Sequence, residues 1–417
     1  MNVRLLLLYG LALLVFSSRG VFELVSTKLL GYSLQLFFLT AISVALFIKT
    51  KPKTFLSSRS YSMGAIVLAL MTLGLLCSIG AGEVTPSQAF LVFAVNALNL
   101  TFVIHALRIC SLHDSVKVAP GFEKCFHGIV VVSALYACTL TFAQFLGYVE
   151  FPGDASFQGA SRLSGPYGSK QHLSLSLALH ALLLLSIWLR SKGVIAFFAL
   201  LVTLFLLLMS YTRIGYVVFL LPLAHYFIVE GRKAQRLTSL ITDPRAILFG
   251  LVLAVSATFV ITRHSEGVEL LIARFQTIDV GEESNSVRIA QWMAGVEFYA
   301  SHPSSFLIST MTGSASQIPR QLLGIDTPHY ESGQIQYLIN FGALAFLLIN
   351  YMFLTWYVKS PRQSVLKFVP ITAAAALFIY MFNEIVPVFV LFPIIAIEQL
   401  LLRNGRHLGS QMIRSEL

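Results

Sequence analysis

Apolar residues run along this chain in stretches of about 20, the length a helix needs to cross the hydrocarbon core of a membrane, with short polar segments between them. About 12 such stretches fit the sequence, near 3–18, 29–48, 61–81, 88–107, 125–149, 171–189, 193–211, 214–229, 246–262, 334–357, 368–383 and 385–402. The pattern predicts an all-α, polytopic membrane protein: a single integral membrane domain over 1–417 with no separate soluble domain. The first stretch follows Arg4 and lacks a small-residue cleavage site, so it is expected to be a retained helix and not a secretory signal.

Composition agrees, since 56% of the 417 residues are hydrophobic and only 12% are charged, far from the balance of a water-soluble domain. Lys and Arg outnumber Asp and Glu by 29 to 19, but they are spread through short inter-helix loops and form no stripe with interleaved aromatics, which argues against nucleic acid as a partner. They report orientation instead. Threading the spans in order brings Lys49, Lys51, Lys53 and Arg59, then Arg108, Lys117 and Lys124, then Arg190 and Lys192, then Arg232 to Arg245, then Lys359, Arg362 and Lys367 to one side. By the positive-inside rule that side, with both termini, is expected to be cytoplasmic. Cys77, Cys110, Cys125 and Cys138 sit in or beside spans without disulfide or metal spacing and read as small buried hydrophobes.

The same threading leaves two substantial segments on the opposite side, near 150–170 and 263–333. The shorter is rich in Gly, Ser and Pro and carries Arg162. Arg213, in "MSYTRIGYVVF", stands at a corner of two or three residues between apolar runs, against the orientation bias. In the longer segment Val268, Leu271, Ile272 and Phe275 form an amphipathic stripe suited to the membrane interface. A second helix is expected from near Ser286, with Arg288, Trp292, Gly295 and Tyr299 on one face and His302-Pro303 closing it. Thr327 is a fitting N-cap and Pro328 a fitting first helical residue, which puts His329 in the first turn of a further helix. Backbone N–H groups at such an end favour a neutral imidazole and attract anions.

Each of these residues has an ordinary structural role open to it as well. His329 fits an interfacial anchor, Arg162 and Arg274 fit side chains reaching for lipid headgroups, and Arg288 with Trp292 fits a cation stacked on a ring. His105 and His180, inside spans, read as interhelical hydrogen-bonding groups. The functional reading rests on convergence: guanidinium groups suited to phosphate and one candidate base emerge on one face.

The arrangement resembles the bacterial O-antigen polymerase and O-antigen ligase superfamily, the Wzy and WaaL types. "SRLSGPYGSKQHLSLSLAL" is similar to its Arg-x-x-Gly signature at Arg162 and Gly165. "YTRIGYVVF" resembles its Ser-Arg-Gly helix break at Arg213, with Thr212 for serine and Ile214 before Gly215. "NSVRIAQWMAGVEFYASHP" resembles its Arg-x-x-x-Trp element, and "HYESGQIQYLINFGALAFLL" its closing motif, through His329, Glu331, Ser332 and Gly342. Two departures stand out. The glycine-rich tract after Pro303 shrinks to Gly313 among Ser and Thr, and "HYES" replaces the ligase-type His-Asn pair, which favours the polymerase branch.

The resemblance implies a multi-pass protein of the bacterial inner membrane with a large late periplasmic loop over 263–333 that holds short helices and a periplasmic active site. It implies a glycosyltransferase of lipopolysaccharide biosynthesis acting on an undecaprenyl-pyrophosphate-linked glycan, with membrane lipids around it and a chain-length regulator as a candidate partner; the outer segments hold no carboxylate cluster with Asp-x-Asp spacing, so no metal or cofactor is expected. Arg162, Arg213 and Arg288 would bind the pyrophosphate, Trp292 and Tyr330 the glycan, and His329 with Glu331 and Arg288 would carry the catalysis. Polymerase, ligase to lipid A core, and transporter or flippase are the three readings. The last would place ionisable groups near mid-membrane and show paired broken helices, neither of which is clear in the sequence.

Overall fold

The computed structural model describes residues 3–25, 28–49, 59–82, 84–112, 121–151, 163–210, 212–231, 244, 251, 283–317, 332–362, 364–377 and 387–415. Among them the regular elements are helices: α1 (Val3–Phe16), α2 (Arg19–Val25), α3 (Lys28–Lys49), α4 (Arg59–Ala81), α5 (Pro86–Cys110), α6 (Phe122–Phe145), α7 (Lys170–Ser191), α8 (Val194–Met209), α9 (Arg213–Gly231), α10 (Glu283–Ala300), α11 (Gly333–Lys359), α12 (Val369–Ala376) and α13 (Pro387–Ser415). Tyr61–Ala81, Pro86–Cys110, Phe122–Phe145, Lys170–Ser191 and Gly333–Lys359 are long and apolar enough to cross a membrane. Shorter apolar helices cover Val3–Phe16, Ser33–Leu46, Val194–Met209 and Arg213–Val229. These helices fit a polytopic membrane protein, while the expected number of about 12 crossings goes beyond what they establish. The stretch expected at 246–262 lies outside the described residues apart from Leu251, as does the stripe from Val268 to Phe275.

At the centre stand α5, α7 and α13. Every residue from 389 to 401 and from 172 to 184 is buried, so neither α7 nor α13 keeps the polar face of a surface helix. Two of the histidines carried inward bond across to neighbouring helices. Tyr9 of α1 bonds His105 of α5 at 3.1 Å, and Ser133 of α6 bonds His180 of α7 at 3.1 Å, the interhelical role expected of both histidines.

The helix ends sort the charges. Fully buried Glu398 on α13 accepts from Ser186 and from Arg190 on α7, and Arg190 reaches on to Glu123 in the first turn of α6. Arg403 donates to the carbonyl of Cys110 at 2.8 Å and Lys359 to the Ser111 hydroxyl at 2.7 Å, cations placed where the last carbonyls of α5 need donors. Gln399 ties this end together, accepting from Trp356 and Ser360 and donating to the carbonyl of Leu366. Arg108, Arg190, Lys359, Lys367 and Arg403 thus share one end of the bundle, as the threading expected.

A short helix not foreseen in the sequence, α2, folds against α3 at the opposite end. It buries the ion pair Arg19–Glu23 at 2.9 Å beside the turn at Gly165–Gly168. Gly165 and Gly168 have positive φ (56° and 64°), and a Cβ on Gly165 would come within 2.6 Å of the Thr141 hydroxyl oxygen. The side-chain oxygen of Gln144 accepts from the N–H groups of Ser164 and Gly165, closing the turn that precedes α7.

Candidate functional site

Gly342 is the pivot of the opposite end. Its backbone (φ 80°, ψ 171°) lies outside the helical region and is open to glycine alone, so α11 divides into a first arm, 333–341, and a second, 343–359. The division is a reversal, not a bend. The side-chain amides of Gln334 and Asn350 bond each other twice, at 3.3 and 3.1 Å, although a straight helix would hold residues 16 apart in sequence about 24 Å from each other. Gln334 also donates to the carbonyl of Ala374 on α12.

Such a reversal strands the last carbonyls of one arm and the first N–H groups of the next, and groups of that kind are tolerated at membrane depth only where protein satisfies them. The irregular segment after α10, 303–313, does so. The N–H groups of Ala343 and Leu344 donate to the carbonyls of Phe306 and Leu307. The hydroxyls of Ser309 and Thr312 donate to the carbonyls of Ile339 and Asn340. The Asn340 side chain accepts from the N–H of Gly313, and the Ser78 hydroxyl of α4 accepts from the N–H of Thr312. The fit is close on both sides. A Cβ on Gly342 would come within 2.5 Å of the Leu307 carbonyl oxygen, and one on Gly74 within 3.1 Å of that of Ser309. Gly313, the remnant of the expected glycine tract, has φ 97°, packs on Ala89 at the start of α5 and receives a bond from Gln88.

α10 lies alongside the first arm. Ala294, Tyr299, Ala315, Ile335 and Ile339 form one buried apolar cluster, with Trp292, Phe298 and Leu338 against it. Tyr299 donates to the same Phe306 carbonyl that receives Ala343, and burial raises its phenol above the ordinary range. The helix closes at His302-Pro303 as expected, and Arg288 and Trp292 stand one turn apart on it.

Arg213 opens α9, close behind the end of α8 at Met209, again as expected. Gly215 brings that corner against α7, since a Cβ there would come within 2.8 Å of Ser174 Cβ and 2.9 Å of the Ser174 carbonyl oxygen. Arg213 therefore stands at the same end of the bundle as the Gly165–Gly168 turn and the Gly342 reversal. Arg162, His329, Tyr330 and Glu331 lie outside the described residues. The start of α11 differs from expectation: Ser332, with extended backbone, is the N-cap, and its hydroxyl accepts from the N–H of Ile335. The first turn of α11 thus begins after His329 and Glu331, because the serine supplies the capping oxygen that Thr327 was expected to provide.

Sequence reasoning missed the reversal and the residues that hold it: Ser309, Thr312, Asn340 and the Gln334–Asn350 pair. A signal was present. Two amides stand equidistant from a glycine inside an apolar stretch, after a run of hydroxyls in "STMTGSAS".

No curated protein matches the chain. Residues 196–350 match the family model Wzy_C, described as O-antigen ligase. The matched segment starts inside α8, takes in Arg213, Arg288, Trp292, His329, Tyr330 and Glu331, and ends at Asn350, partner of Gln334 across the reversal. That match covers elements that build this end of the bundle and supports the resemblance to the O-antigen polymerase and ligase superfamily.

Proposed function

We propose that this protein is a bacterial surface-polysaccharide (O-antigen) polymerase, transferring an undecaprenyl-pyrophosphate-linked glycan to a sugar hydroxyl of a second lipid-linked repeat at the periplasmic face of the inner membrane. The observation that carries the reading is the family match over 196–350, in which Arg213 and the Arg288–Trp292 helix belong to the end of the bundle that holds the α11 reversal. In the reaction the acceptor oxygen forms a bond to the anomeric carbon of the donor while the bond from that carbon to the pyrophosphate breaks. The electron pair leaves on the pyrophosphate, whose charge Arg213 and Arg288 take up with Arg162 in support. The hydroxyl proton passes to His329, oriented by Glu331, and Trp292 and Tyr330 hold the sugars. Pyrophosphate is already a good leaving group, so charge binding and alignment supply most of the catalysis.

The "HYES" sequence in place of a His-Asn pair favours the polymerase. The description of the matching family, O-antigen ligase, favours the second reading: transfer of the glycan to lipid A core. Broken helices also occur in transporters, as pairs arising from internal repeats. Among the described residues no helix interior other than that of α11 contains a glycine of positive φ.

The test is incubation of the purified protein with a lipid-linked repeat unit, with and without lipid A core. Elongated lipid-linked chains that vanish in Arg288→Ala support the polymerase, and transfer to the core alone supports the ligase. Absence of both products with every acceptor supplied rejects the glycosyltransferase reading.

A further inference from the structure

Outside the described site, an open concavity lies between α4 and α5. Gly64, Ala65, Leu68 and Ala69 of α4 face Leu100 and Ile104 of α5 across a groove of about 580 Å³ that is almost wholly apolar. It follows α4 from Tyr61 to Leu76, roughly 22 Å at the rise of an α-helix, a shape suited to one hydrocarbon chain and not to a compact ligand.

One end of the groove is polar. Tyr61 and His105 line it there, and among the described residues the Nε2 of buried His105 has no hydrogen-bond partner. Arg108, one turn beyond His105, donates to the Tyr61 hydroxyl at 2.6 Å and holds its guanidinium 5.1 Å from the centre of that ring. Lys359 and Arg403 stand around the same end of α5. A phosphate is the charge complement of this cluster, and basic pockets between membrane helices take anionic headgroups.

We infer that this groove is a binding site for an anionic phospholipid, one acyl chain lying between α4 and α5 and the phosphate meeting Arg108. The polyprenyl donor is a poorer fit, because the groove's cationic end is at the opposite end of the bundle from Arg213 and the α11 reversal. The inference does not depend on the proposed reaction.

Native mass spectrometry of the full-length protein, in detergent with equal amounts of phosphatidylglycerol and phosphatidylethanolamine, tests it. The protein is expected to retain phosphatidylglycerol about fivefold over phosphatidylethanolamine, the preference one cation confers near an anionic lipid. Arg108→Gln should bring the ratio near one, Arg108→Lys should preserve most of it, and Ala69→Trp, which fills the groove, should remove the bound lipid. Arg108→Lys also separates loss of charge from loss of fold. Equal retention of the two lipids by the unaltered protein overturns the inference, as does an unchanged ratio in Arg108→Gln or full retention in Ala69→Trp. Displacement of phosphatidylglycerol by an equal amount of undecaprenyl phosphate overturns it too and assigns the groove to a polyprenyl chain.

Discussion

At the basic end of the bundle, polar partners are long side chains brought together from distant helices: Arg190 of α7 with Glu398 of α13 and Glu123 of α6, and Gln399 with Trp356 and Ser360. Around the α11 reversal, at the opposite end, they are mostly peptide groups and short hydroxyls: Ala343 and Leu344 with Phe306 and Leu307, Ser309 and Thr312 with Ile339 and Asn340. A salt-bridged side chain locks helices that are already complete. A bond to a stranded peptide group completes a helix that cannot complete itself. The first arrangement serves cohesion, whereas the second holds a non-helical backbone where the match to a ligase family and the candidate arginines are found.

The contrast can be broken at either end. The largest loss of stability is expected from Glu398→Ala, which removes the buried partner of Arg190 and should cost about 3–5 kcal/mol in detergent unfolding. Turnover per folded molecule should stay unchanged, and a large change in it would dissolve the distinction. Gly342→Ala should cost about 1–3 kcal/mol from backbone strain, with displacement of Leu307 in addition. Here turnover per folded molecule should fall at least about tenfold, as the barrier rises by more than about 1.4 kcal/mol. Thr312→Val keeps the shape and removes one donor to the Asn340 carbonyl, at a cost of about 1 kcal/mol measured by the same unfolding.

At neutral pH nothing is expected from Tyr167, in the turn before α7, and its effect is confined to alkaline solution. Burial pushes its phenol up to about 12 from the ordinary 10, while Ser17 and Ser176 donate to its oxygen. The unfolded chain therefore loses this proton first. The contribution is intact below pH 10 and is lost as pH rises toward 12. Tyr167→Phe should flatten that part of an alkaline unfolding profile.

Much of the molecule is legible in the sequence because hydrocarbon allows few solutions: an apolar run must become a helix and a basic loop must stay in water. The corner at Arg213, the helix of Arg288 and Trp292 and its end at His302-Pro303 follow from such local rules. The reversal at Gly342 does not, because a glycine between Phe341 and Ala343 reads as an ordinary helix residue until the carbonyl of Leu307 is known to occupy the place of its side chain. The Glu398–Arg190 pair joins residues 208 apart, and α2 owes its place to packing on α3 and to a buried pair that no apolar count registers. At the start of α11 the capping residue is Ser332, whose hydroxyl meets the N–H of Ile335 and which an eye drawn to Thr327 and Pro328 passes over.

The divided α11 carries a consequence for biogenesis. Residues 333 to 359 emerge from the ribosome with the composition of an uninterrupted span, and nothing within them dictates a fold-back. The groups that receive the reversal come from 303–313, which is seated on Gly74 and Ser78 of α4, and both segments are synthesised earlier. The shape of this helix is therefore settled by what is waiting for it in the membrane, and a defect in α4 at Gly74 or Ser78 would surface as a fault in a helix made more than 250 residues later.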